Sequence, residues 1–278
     1  MIRQTCLPSG EKIPVLGQGT WNMGDDRQRR SEELNALRLG IDLGMTLIDT
    51  AEMYGNGASE QLVGEAIAGR RNDVFLVSKV LPSNASRRGT VRACERSLRR
   101  LGTDRIDLYL LHWRGQYGLH ETVSGMEELR SAGKIRHWGV SNLDLTEMDD
   151  LMRIADGVGC ATDQLLYNLA RRGIEYDLLP WCRDRRMPVM AYSPLDEGRL
   201  LKNPAIGKVA SVRGVTPAQV ALAWSLRRDG VIAIPKAANE RHVRENAASL
   251  DLTLTDNDLA LLDDAFPPPT RPEPLDMI

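Results

Sequence analysis

Residues 46–67 read "TLIDTAEMYGNGASEQLVGEAI", and they contain one complete unit of the fold. Met45, Leu47 and Ile48 make a short apolar run, rich in β-formers, that reads as a buried strand. A polar loop with two glycines follows, and then Leu62, Val63, Ala66 and Ile67 recur at helical spacing. Strand, loop and amphipathic helix together form half of a parallel crossover. The unit repeats along the chain. Comparable apolar runs stand at "VLGQG" (15–19), "TLIDT" (46–50), "FLVSKV" (75–80) and "IDLYLLHW" (106–113). Four more follow at "IRHWGVSN" (135–142), "TDQLLYN" (162–168), "PVMAYSP" (188–194) and "VIAIPK" (231–236).

Strand then helix, eight times, with no Pro/Gly/Ser-rich linker and no shift in composition, predicts an α/β fold of the (β/α)8 TIM-barrel type. The 278 residues are close to the roughly 250 of one such barrel, so a single domain over 1–278 is expected rather than two doubly wound ones. No G-x-G-x-x-G follows an early strand, which weighs against a Rossmann-type domain. Residues 2–14, with the turn "PSGEK", read as an N-terminal β-hairpin across the barrel floor. The helical patterns "NPAIGKVAS" from 203 and "TDNDLALLDDA" from 255 are supplementary to the eight units.

Composition narrows the function classes. A formal net charge of -2 gives no basic field for a phosphate backbone, so no nucleic-acid partner is expected. Cys6, Cys94, Cys160 and Cys182 are far apart, without a CxxC pair or a close histidine, which predicts reduced thiols and no metal site. No stretch approaches the ~18 apolar residues of a membrane span, and "MIRQTCLPSG" lacks the apolar core of a signal peptide. A cytoplasmic protein is therefore expected. No heptad seam specifies an oligomeric state.

In a barrel of this kind the chemistry belongs where strands end. The polar residues that interrupt or follow the apolar runs are Asp49, Lys79, His112, Ser141, Asn142, Gln164, Tyr192, Ser193 and Lys236. Taken singly, each has an ordinary explanation: a turn aspartate, a solvated lysine, a satisfied core histidine. Their convergence on one barrel face is the signal. Asp49 precedes the next helical pattern by too much to cap it. It is instead the available counter-charge for Lys79 in a partly dry pocket. The Lys79 ammonium, in turn, is expected to lower the pKa of Tyr54 from the usual phenol value of about 10. His112 is placed to orient a substrate oxygen.

The stretches "GQGTW", "LIDTAEMYGNG", "VSKV", "LLHW", "GKIRHWGVSN", "AYSPL" and "IPKAANERHVREN", in this order, resemble the aldo-keto reductases across essentially the whole chain. The likeness is strongest to the compact bacterial branch that reduces methylglyoxal and other small aldehydes. The resemblance implies a nicotinamide cofactor bound without a Rossmann fold and a catalytic tetrad of Asp49, Tyr54, Lys79 and His112. It implies hydride transfer with Tyr54 as the general acid that protonates the carbonyl oxygen. Gly19 and Thr20 fall among the implied cofactor contacts. Ser141, Asn142 and Gln164 match the residues that hold the carboxamide, and Tyr192 the ring that stacks on the nicotinamide. Ser193 and Leu195 match the loop over the pyrophosphate, Lys236 the 2′-phosphate contact, and Glu245 and Asn246 the adenine contacts.

The chain departs from the commoner pattern where Ala237 replaces a serine and His242 an arginine. A hydroxyl donor and a planar, permanently charged fork are both lost, so NADPH is the expected cofactor with NADH possible. Trp21, Met23, Tyr54 and Trp113 lie in stretches expected to line the substrate pocket. Of these, Trp21 and Trp113 form an aromatic wall suited to a small carbonyl substrate. The tail "FPPPTRPEPLDMI" is too rich in proline to cover the mouth as a regular element, which predicts a shallow, open pocket. A cofactor-binding regulatory or structural subunit of the same fold, with little turnover, is the alternative. A metal-dependent barrel enzyme would need clustered ligands on several strand ends, and only His112 among the histidines has such a place. Trp138, Trp181 and Trp224 fall in strand or helix patterns and are expected to serve packing.

Overall fold

The computed structural model describes residues 2–278. Strands β1 (Gln4–Cys6) and β2 (Lys12–Pro14) pair as an antiparallel hairpin. Eight parallel strands follow: β3 (Gln18–Gly19), β4 (Leu47–Asp49), β5 (Phe75–Val80), β6 (Ile106–Leu111), β7 (Ile135–Ser141), β8 (Cys160–Leu166), β9 (Val189–Tyr192) and β10 (Val231–Ala233). Each pairs with its neighbour in chain order. Parallel bridges between Leu16 and Ala233 and between Gly19 and Lys236 join the first to the last, so the sheet closes. Gly17 N–H donates to Ala233 O at 2.9 Å and Ala233 N–H to Val15 O at 2.8 Å. At two positions beside this seam there is no room for a side chain. A Cβ on Gly17 would stand 2.6 Å from Leu47 Cδ2, and one on Gly19 2.6 Å from Ile234 O.

Helices α1 (Arg30–Asp42), α2 (Ala58–Ala66), α3 (Arg87–Leu101), α4 (Leu119–Ser131), α5 (Leu145–Met152) and α6 (Leu178–Asp184) form the outer ring together with two further ones. Helix α7 (Pro204–Arg213) is an insertion after β9, α8 (Pro217–Leu226) and α9 (Glu240–Ala248) complete the ring, and α10 (Asp256–Ala265) follows it. The supplementary helices are those expected, and Arg213 Nε donates to Asp258 Oδ2 between α7 and α10 at 2.8 Å. Local signals set the ends. Ser86 caps α3 by accepting from Gly89 N–H, and Gly102, at φ 61°, stops it in the left-handed region.

The side-chain period of two divides the core. Ile48, Leu76, Tyr109 and Leu165 pack outward against the helices, where Trp138 and Trp224 are also buried. Leu47, Phe75, Val77, Leu108, Leu110, Met190 and Ile232 fill the barrel. Leu7 and Ile13 from the hairpin join this inner cluster and plug the floor. Glu11 fastens the plug, 2.7 Å from Arg136 and 2.7 Å from His137 of β7.

Candidate active site

The inner apolar stripes end in the polar residues singled out by sequence. Two residues beyond Leu47 stands Asp49; Phe75 and Val77 lead to Lys79, Leu108 and Leu110 to His112, Met190 to Tyr192, and Ile232 and Ile234 to Lys236. Because alternate residues share a face, the stripe that fills the barrel delivers these groups to its upper mouth. There all of them except the wholly buried Lys79 border a cavity of about 500 Å³.

Lys79 is wholly buried and uses all three of its donors. Nζ donates to Asp49 Oδ2 at 2.7 Å, to Thr50 O at 2.9 Å and to Tyr54 Oη at 3.2 Å. The other Asp49 oxygen accepts from Gln164 Nε2 at 2.8 Å. Burial works against the Lys79 charge, but Asp49 and then the Tyr54 oxygen outweigh it, and the pKa of the ammonium is raised. The expected pairing of Asp49 with Lys79 is therefore present. The expected lowering of the Tyr54 pKa is not: burial raises it, Lys79 pulls it down, Asp49 raises it again, and the net direction is upward. Lys79 supplies one favourable contact, whereas the low-dielectric pocket penalises the whole phenolate.

His112 lies with its ring edge-on to Tyr54, centroids 5.8 Å apart, and 4.8 Å from the Trp113 ring. Burial, with Lys79 nearby, pushes its pKa down to about 2, so the imidazole is neutral. Its Nδ1 is buried without a partner among the described residues.

The neutral groups beside them form one chain. Ser141 Oγ donates to Gln164 O at 2.8 Å, Asn142 Nδ2 to Ser141 Oγ at 3.1 Å, and Tyr192 Oη to Asn142 Oδ1 at 2.9 Å. Asn142 adopts φ 59°, and Ser193 (48°), Asp196 (49°) and Glu197 (54°) are left-handed in the loop after β9. Such backbone is uncommon outside glycine and clusters at ligand sites. Gly19, Thr20, Ser193 and Leu195 border the same cavity. Thr20 Oγ1 donates to Asp49 O at 2.9 Å, tying the end of the first barrel strand to the second.

The outer end is exposed. Lys236 reaches the rim, where burial and the charge of Arg29 lower its pKa. His242, Glu245 and Asn246 stand on α9, outside the cavity wall. His242 N–H donates to Asn239 Oδ1 at 2.9 Å, and its Nε2 lies 2.9 Å from Arg241 Nη2. Glu245 is 3.6 Å from Arg241, and Glu240 3.9 Å from Arg244.

Two expectations change on the substrate side. Met23 is fully buried and packs into the core, in a turn closed by Met23 N–H onto Thr20 O at 3.1 Å. Met53 lines the cavity instead, with Trp21 and Trp113 as expected. The proline-rich tail also reaches the mouth: Met277 and Ile278 line the cavity, Leu275 packs on the core, and Asp276 lies 3.4 Å from Arg171. An extended segment needs no helix or strand to cover a surface, so proline does not prevent it. The charged run "DDRQRR" at 25–30, in the loop that follows the first barrel strand, was the available signal for Arg29.

A closed barrel that gathers a phenol, an ammonium, a carboxylate and an imidazole at the carboxyl ends of its strands has the form of a (β/α)8-barrel enzyme. The chain belongs to the Aldo/keto reductase family, whose sequence profile matches residues 15–266. It is 55% identical over 271 residues to the methylglyoxal reductase YeaE of Escherichia coli, covering 96% of this chain and 95% of that protein. The glyoxal reductase of Bacillus subtilis is 32% identical, with 92% and 90% covered. A crystal structure of an aldo-keto reductase from Klebsiella pneumoniae in complex with NADPH is 54% identical and superposes with a TM-score of 0.97, covering 100% of both chains.

Proposed function

We propose that the chain is an NADPH-dependent reductase of small aldehydes and 2-oxoaldehydes such as methylglyoxal. We read it as one domain over residues 1–278, acting in the bacterial cytoplasm. The observation that carries the reading is the Tyr54 hydroxyl, 3.2 Å from a lysine that is itself buried and fully hydrogen-bonded, at the wall of an open cavity. The bacterial relatives support the setting, and among the described residues no helix is long and apolar enough to cross a membrane.

The cavity suits a dinucleotide. Ser141, Asn142 and Gln164 offer a hydroxyl and two amides to a carboxamide, which has both a donor and an acceptor. Tyr192 presents a ring beside them, its hydroxyl anchored on Asn142. Ser193 and Leu195 flank the path toward Lys236, the cation for a 2′-phosphate, and Glu245 and Asn246 serve the adenine. When bound, the nicotinamide supplies the hydride.

Tyr54 carries its proton at neutral pH, since its pKa is raised, and gives it to the carbonyl oxygen as negative charge develops there. Lys79, fixed by Asp49 and Thr50, faces the phenolate that remains and needs no movement to stabilise it. His112 is neutral, so it donates a hydrogen bond to the same oxygen and keeps its proton. Trp21 and Trp113 line the carbonyl end, and among the described residues the one lysine or arginine in the cavity wall is Lys236 at the rim, which favours an uncharged substrate.

Steady-state reduction of methylglyoxal, with NADPH and NADH compared, tests this. Turnover with a preference for NADPH is expected. Tight NADPH binding with no turnover across a wide aldehyde panel would instead make the protein a cofactor-binding subunit.

A further inference from the structure

Glu52 lies two residues before Tyr54 and takes no part in the cavity wall. Its side chain is only 6% exposed, an uncommon condition for a carboxylate and one that demands partners. It has three. Oε1 accepts from Leu81 N–H at 2.9 Å and from Asn84 Nδ2 at 2.8 Å, and Oε2 lies 3.4 Å from Arg96 Nη2 of α3. Leu81 and Asn84 belong to the loop that leaves β5 just after Lys79. Backbone contact alone joins the two loops weakly, Glu52 N–H to Lys79 O at 3.4 Å.

The turn that carries Tyr54 is held within itself by backbone bonds, Tyr54 N–H to Ala51 O at 3.1 Å and Asn56 N–H to Met53 O at 3.2 Å. Gly55, Asn56 and Gly57 follow with φ of 54°, 50° and 93°, and Met53, Gly55 and Asn56 are exposed. One side of the loop is pinned by hydroxyls: Ser59 Oγ donates to Thr20 Oγ1 at 2.7 Å and lies 3.1 Å from Thr50 Oγ1. The other side has the Glu52 carboxylate.

We propose that Glu52 is a positioning residue, which sets the Tyr54–Lys79 contact by binding the tyrosine loop to the loop that follows the lysine. The inference rests on the reading of Tyr54 as proton donor. The kcat for methylglyoxal and the Kd for NADPH, measured on Glu52→Ala, Glu52→Gln, Tyr54→Phe and Glu52→Ala with Tyr54→Phe, test it. Small misplacements of a reacting group are costly, so Glu52→Ala should lower kcat about 10-fold or more while Kd stays within about twofold. Glu52→Gln keeps the Oε1 acceptor and should recover most of the loss. If Glu52 acts through Tyr54, its removal should cost nothing further once the phenol is gone.

An unchanged kcat in Glu52→Ala, a parallel loss of NADPH affinity, or an equal further loss in the Tyr54→Phe background overturns the proposal. Should Glu52→Ala fail to fold, Asn84→Ala removes one of the three partners and should give a smaller fall in kcat that is likewise absent without Tyr54; no fall overturns the proposal. If Tyr54→Phe itself is unimpaired, the reading of the site fails and not merely the role of Glu52.

Discussion

Lys79 and Lys236 each end an inner stripe of the same barrel, yet one spends all its donors inside the protein and the other has no partner among the described residues. Around Lys79 the contacts are closed: carboxylate, carbonyl, phenol and amide are matched within 3.2 Å. Around Lys236 a second cation, Arg29, lies close enough to depress its pKa. Glu33 offsets part of that effect without outweighing it, so the rim keeps a local excess of positive charge. The inner end is satisfied by the protein's own groups, whereas at the outer end the Lys236 ammonium is left without a hydrogen-bond partner among the described residues.

That contrast predicts different failures. The largest is expected from Lys79→Met, which leaves Asp49 buried with only the neutral Gln164 as partner and should cost about 3–5 kcal/mol in urea unfolding. A stability within error of the parent would mean that the pair is better solvated than its burial implies. Tyr54→Phe removes one hydroxyl from the same cluster, and should lower kcat on the order of 100-fold with NADPH binding retained. Lys236→Ala should leave kcat and stability alone and weaken NADPH by about 10-fold, the worth of one charge-assisted contact, with NADH little affected. Equal weakening of both cofactors would remove the 2′-phosphate from its neighbourhood.

The smallest effect concerns pH. A proton donor must be protonated, so reductive kcat/KM falls as pH rises through the Tyr54 pKa, which lies above that of an ordinary phenol in the free protein. His112, titrating at about 2, contributes no change near neutrality. The profile should be flat from about pH 6 to 9. A step near 7 would show that the imidazole is wetter than its burial indicates.

Much of this was legible because barrel strands obey a period of two: once Leu47 is inside, Asp49 is inside as well, and the same step carries Leu110 to His112. The order of eight strands and the two extra helices followed from periodicity alone. What a period cannot give is depth. The sign of the Tyr54 shift depends on how much protein covers the phenol, and a lysine at 3.2 Å is only half of that balance. Nor does it give the rotation of an irregular loop, which is why Met53 and not Met23 faces the cavity. The tail failed for a different reason: proline forbids regular structure, but Leu275 still had an apolar surface to settle on. On α9, His242 is occupied with capping contacts to Asn239 that an unaligned sequence does not reveal.

The seam between β3 and β10 joins residues more than two hundred positions apart. During synthesis, then, the first barrel strand has its second edge unpaired until nearly the whole chain has emerged. A growing sheet with two open edges is the form most prone to join a neighbour's strand. Here the edge is only two residues long, with Gly17 beside it and Gly19 within it, so it exposes few backbone groups and little side chain to bury. The glycines that let the finished barrel close also keep the unfinished one from closing on the wrong partner.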